Sequence, residues 1–188
     1  LIISMATKAI QDFTLDEEFW AQQRAEMMGA TLATWRELYV AGAEEAALAA
    51  QLPFDLDAIN LAADRFIAGW TDAWWANLEA TTREGLRAAI AQANAEGLGV
   101  DYVYSATKPL FGEARALNIA VTETTNVLGG AAQEIMAQAG VEEWDWDTAM
   151  DAVVCDLCNE MAANGPYPMS QEFHSRHVGC RCAPRPRM

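Results

Sequence analysis

Cys155-Asp156-Leu157-Cys158 and, after eighteen intervening residues, His177-Val178-Gly179-Cys180-Arg181-Cys182 hold all four cysteines of the chain; with His174 they also hold both histidines. A C-x2-C pair followed by H-x2-C is ligand spacing for a structural zinc ion. Each pair sits on a tight turn, and two such turns supply four soft ligands in a tetrahedron. Five side chains compete for the four places: Cys155, Cys158, His177, Cys180 and Cys182. The H-x2-C spacing matches the reach of C-x2-C, which favours Cys180 over Cys182. His174 is left to the loop, or to a hydrogen bond behind a ligand. The intervening loop carries Asn164-Gly165-Pro166 and Pro168, which are turn residues. With few large apolar side chains, that loop is expected to depend on its metal for order.

The alternative for the cysteines is ordinary thiols or two disulfides, for which three pairings exist. Disulfides would suit a secreted chain, but Leu1-Ile2-Ile3-Ser4 lacks a basic n-region, a long apolar run and a small-residue cleavage site. No apolar run approaches the length of a membrane span. The 188 residues carry a formal charge of −15. Such a surface repels nucleic acid and anionic membranes on average. The balance reverses locally at the end, where Arg176, Arg181, Arg185 and Arg187 occur without an acid among them. A weak DNA contact, if the chain makes one, is expected through this tail.

Upstream, the patterning is helical. Thr14-Leu15-Asp16-Glu17 has capping-box spacing, and a helix is expected from there to about Gln51, ended by Pro53. Ile59, Ala63, Phe66, Trp70, Trp74, Leu78, Thr81, Leu86, Ile90 and Ala93 form one stripe from Leu56 to Glu96. So long a helix is expected either to break near Gly69 or Gly85 or to project from the domain. The tryptophans on it read as packing residues rather than as a platform for bases or sugars. A short helix is expected over Asp101 to Lys108, and a long one from Glu113 to Ala139 with Leu117, Val121, Thr124, Leu128, Ala131, Ile135 and Met136 as its stripe. Gly140 closes it. Val141 to Trp146 suggests a short strand. Asp147 is then expected to cap a helix through Met161. Pro184 and Pro186 confine a last strand to a sheet edge, paired near Trp144.

The expected fold is therefore mainly α. It has a long-helix body over 14–140 and a small C-terminal zinc-knuckle module over 141–188. That module contains a short β-hairpin-like pair, making the chain α+β overall. Residues 1–13 carry no periodic signal and leave room for a mobile segment.

The residues also carry a resemblance. Arg115-Ala116-Leu117-Asn118-Ile119-Ala120-Val121-Thr122-Glu123-Thr124 is followed by a helix and a tryptophan, then by Asp151-x3-Cys155-x2-Cys158, Gly165 and His177-x2-Cys180-Arg181-Cys182. In order and spacing this resembles the minor head, or head morphogenesis, proteins of tailed bacteriophages, the phage Mu F-like group. The resemblance covers about residues 60–187. Two positions depart from it: Val121 stands where the family often has Arg before Thr-Glu, and Ala152-Val153-Val154 where an Arg often follows the Asp. The resemblance implies a structural virion component made in the bacterial cytoplasm and built into the phage head near the portal. Its implied partners are the portal protein and the major capsid or scaffolding protein, and its implied role is in procapsid assembly and in DNA packaging or ejection.

The competing expectation is a zinc-stabilised nuclease or other effector enzyme. Hydrolysis would need an open metal position or a free general base. With His177 taken as a ligand, His174 beside Glu172 is the candidate base, and the chain has no H-E-x-x-H, P-loop or G-x-S-x-G. Glu123 beside Thr122 reads less as an acid catalyst than as a helix-face carboxylate, either paired with Arg115, Arg83 or Arg87 or solvated, and Asp151 as a helix cap or an acceptor behind His177. No catalytic residue and no organic cofactor site is expected.

Overall fold

The computed structural model describes residues 17–187. The capping box at Thr14 and the segment 1–13 lie outside the described residues. The elements are α1 (Glu17–Ala50), α2 (Leu56–Glu96), α3 (Val100–Thr107), a 3-10 turn (Lys108–Leu110), α4 (Glu113–Gln138), β1 (Glu143–Asp147), α5 (Asp156–Asn164), β2 (Tyr167–Pro168) and β3 (Ala183–Pro186). The chain is thus mainly helical, with one small antiparallel sheet near its C-terminus. No described helix is long and apolar enough to cross a membrane.

Neither Gly69 nor Gly85 interrupts α2, which runs unbroken for 41 residues. Its end is set by Gly97 at φ +66°, a left-handed position that costs glycine nothing. Gly140 at φ +75° ends α4 in the same way.

The described residues form two compact units, each built from parts of the long helices. The first comprises 17–31 and 69–116. Its core holds Trp20, Trp74, Trp75, Leu86 and Ile90. The Arg83 guanidinium lies 4.9 Å from the Trp20 ring centre and 2.7 Å from Glu79. Arg115 is occupied inside this unit: it donates to the Leu110 carbonyl at 2.7 Å and to the hydroxyls of Thr81 and Thr82.

The second unit comprises 32–68 and 117–187. Ile59, Ala63, Val127, Ala131 and Ile135 are fully buried in it. Gly130 lets α4 approach Phe66, since a Cβ there would stand 2.7 Å from the ring. The sheet belongs to this unit, with order β2-β1-β3. Trp144 pairs with Pro186 and Trp146 with Pro184, so the proline-containing strand is an edge, as its missing N–H groups require. Trp144 and Trp146 point to the same face of β1 and are both buried, whereas Glu143 between strand and loop is exposed.

Three local expectations need correction. Asp147 lies in β1 and caps nothing; α5 begins only at Asp156, with Cys155 as its N-cap. The expected stripe of α4 holds only in part: Ala131, Ile135 and Met136 are buried, but Leu117 is 63% exposed and Leu128 is exposed, while Glu123, Asn126 and Gly129 are buried instead. The loop after α5 is also less poor in core than its composition suggests. Phe173 is 2% exposed and stacks on Trp146 with ring centres 4.8 Å apart. Together with Trp144, Met161, Cys158, Cys180 and Cys182 it packs against Ala132 and Met136 of α4.

Candidate metal centre

Two short backbone motifs aim the candidate ligands. At the start of α5, the Cys155 sulfur accepts the N–H of Cys158 at 3.5 Å, and the Cys155 carbonyl accepts from Asn159. Sulfur thus serves where Ser or Asp usually caps. This backbone N–H holds the Cys155 thiol below its ordinary pKa, favouring the thiolate. The second motif is a turn in which Cys180 N–H donates to the His177 carbonyl at 3.2 Å. Gly179 occupies its third position at φ +78°, where a side chain would be strained.

The turns bring the sequence candidates together in two overlapping groups. Cys155, Cys158 and His177 have their ligand atoms within 4.8 Å of one another, and so do Cys158, Cys180 and Cys182. Cys158 belongs to both. Its sulfur lies 3.1 Å from His177 Nε2 and 3.8 Å from the Cys180 sulfur. All four cysteines are free. Either group could hold a metal ion. The donor set suits a soft or borderline cation. A tetrahedral ion with metal–sulfur bonds near 2.3 Å has sulfur–sulfur edges of about 3.8 Å, as the Cys158–Cys180 separation has.

Burial, then the neighbouring sulfurs, push the Cys158 thiol far above its ordinary pKa. Burial likewise raises Cys182. Two sulfurs in so dry a place disfavour thiolate charge unless a cation shares it. His177 is already arranged for coordination. Its Nδ1 lies 2.9 Å from the Val178 carbonyl oxygen. A carbonyl can only accept, so this contact puts the proton on Nδ1 and leaves the Nε2 lone pair facing Cys158.

Polar side chains of α4 carry the turn and the loop before it. Thr122 accepts the Gly179 N–H at 2.9 Å, and Thr125 donates to the Cys180 carbonyl at 2.6 Å. Asn126 accepts from Ser175 N, and Gln133 accepts from Phe173 N while donating to the Gln171 carbonyl. Gly129 gives the loop its closest approach: a Cβ there would stand 2.2 Å from Phe173. Reading α4 for apolar periodicity passed over these residues. The available signal was the clustering of Thr, Asn, Gln and Gly at helical spacing.

The remaining candidates fall outside the two ligand groups. His174 pairs with Glu172 at 3.3 Å and is about half exposed. Asp151 neither caps α5 nor supports His177. It accepts the Val153 N–H and pairs at 2.7 Å with Arg181, the residue between Cys180 and Cys182. Arg185 and Arg187 also face acids, with Asp145 3.7 Å from each. Glu123 is buried on α4, whereas the Arg115 guanidinium bonds Leu110, Thr81 and Thr82.

No protein-family model, curated protein or solved structure matches the chain.

Proposed function

We propose that the chain is a structural head protein of a tailed phage, acting at the portal vertex, and that a single structural zinc ion braces its C-terminal region. The observation carrying the structural role of the metal is the burial of three clustered sulfurs. Cys158, Cys180 and Cys182 are each at most 6% exposed and lie within 4.8 Å of one another. Structural zinc sites are closed and sulfur-rich, whereas catalytic ones keep a position for water. The ion would supply cross-linking and charge neutralisation, and no reaction step is assigned to it.

The head-protein reading is supported by the order and spacing of the motif from Arg115 to Cys182. A contact between its parts adds to that support: the Thr122 hydroxyl, in the Thr-Glu stretch, accepts the backbone N–H of the His-x2-Cys turn. Under this reading the portal protein is the partner, with major capsid or scaffolding protein as further neighbours, and the virion is the final location. Co-expression with the portal protein of the same genome tests it. Co-purification of a stable complex with the portal oligomer is expected; a chain that elutes wholly apart from an intact portal oligomer would overturn the reading.

A further inference from the structure

β1 carries two buried tryptophans with opposite hydrogen-bond situations. Trp144 Nε1 donates to the carbonyls of Pro168 at 3.2 Å and Gln171 at 3.1 Å. Trp146 Nε1 is buried and has no partner of good hydrogen-bond geometry among the described residues. A buried indole N–H ordinarily finds an acceptor, so this one needs a reason. Its position supplies one. Trp146 pairs with Pro184 across the strands, and Cys182 stands two residues before that proline. Both side chains belong to one packed cluster with Cys158 and Cys180. A neutral thiol is a weak acceptor, whereas a thiolate is a good one.

We propose that the Trp146 indole N–H is the hydrogen-bond donor to the Cys182 sulfur when that sulfur is a metal-bound thiolate, which makes Cys182 one of the four ligands. This rests on the metal reading above. A metal held there would leave Cys182 as a thiolate, and the buried indole N–H would then have a good acceptor beside it. Trp146 is a positioning residue: it fixes one lone-pair direction of Cys182 and draws charge from a crowded set of sulfurs. The same arrangement explains why Cys182 need not match the H-x2-C reach that favours Cys180. Cys182 reaches the site from the sheet, through the strand pair, rather than from the turn.

The test uses the full chain loaded with Cd²⁺ enriched in the spin-active isotope, and with Co²⁺. In the cadmium protein, the Trp146 indole proton should show a through-hydrogen-bond coupling to the metal nucleus and slow exchange with solvent. Trp146→Phe keeps a flat ring without the N–H. It should bind Co²⁺ about 10- to 100-fold more weakly and shift the thiolate-to-cobalt charge-transfer band. Cys182→Ser should lower the intensity of that band by one thiolate's share. If Trp146→Phe fails to fold, the indole coupling in the unmutated chain still decides, with the resonance assigned through the backbone. A metal-loaded chain without the coupling, or a Cys182→Ser protein with an unchanged cobalt spectrum, would overturn the proposal while leaving the metal reading intact. A chain that takes up neither metal would overturn the metal reading itself.

Discussion

The hydroxyl of Thr122 accepts the backbone N–H of Gly179 at 2.9 Å while donating to the Asn118 carbonyl at 2.7 Å. One side chain therefore ties the turn between His177 and Cys180 to the body of α4. Thr122→Val keeps the shape and loses both bonds. It should cost about 1 kcal/mol, the usual net worth of such a bond. Amide exchange at Gly179 should accelerate relative to the other amides of the turn. Unchanged protection at Gly179 would show that the bond contributes nothing.

Gly129 tests the docking of the loop more severely. A methyl group there would meet the edge of Phe173, a ring that is itself buried and has no open side to retreat to. Gly129→Ala should destabilise the chain by about 2 kcal/mol, even though alanine is the better helix former. The check is the midpoint of denaturant unfolding. A stabilised variant would mean that the Phe173 ring yields freely.

The long helices, and the Cys and His residues that gather into two groups able to hold a metal, were legible in the sequence because each depends on local spacing. Gly97, Gly140 and the proline-containing edge strand likewise mark boundaries by backbone chemistry alone. The docking face of α4 was not legible. Thr122, Asn126 and Gln133 resemble a solvated face until the loop carrying Ser175 and Phe173 supplies their partners. The start of α5 was also missed, because Asp147 is a better cap than Cys155 by residue type. The pairing of Asp147 with Ala183 in the sheet overrides that preference.

Cys158 is common to both ligand groups, so it should be the least replaceable thiol. Cys158→Ser should abolish tight metal binding. It should also erase much of the near-ultraviolet circular dichroism from Trp144 and Trp146, which share its core. The consequences should reach Ala132 and Met136 on α4, since they belong to the same cluster. Rapid proteolysis between Asn164 and Arg176 is expected in the variant. A Cys158→Ser protein with parental tryptophan dichroism and protease resistance would separate the metal from the core.

The arginines near the C-terminus are largely paired with acids. Arg181, Arg185 and Arg187 face Asp151, Asp145 and Asp147 at 2.7 to 3.9 Å, and the whole chain is strongly acidic. Any DNA affinity should be weak and should depend on salt with a log–log slope of about −1, the release expected for one phosphate. A slope several times steeper would show that the acids do not neutralise this surface.

Elemental analysis of the full chain, purified without chelator under reducing conditions, tests the central claim most directly. About one zinc per chain, removed by a strong chelator together with the near-ultraviolet tryptophan signal, is the expected result. A fully folded chain containing no metal, with its four cysteines as free thiols or paired as disulfides, would contradict it.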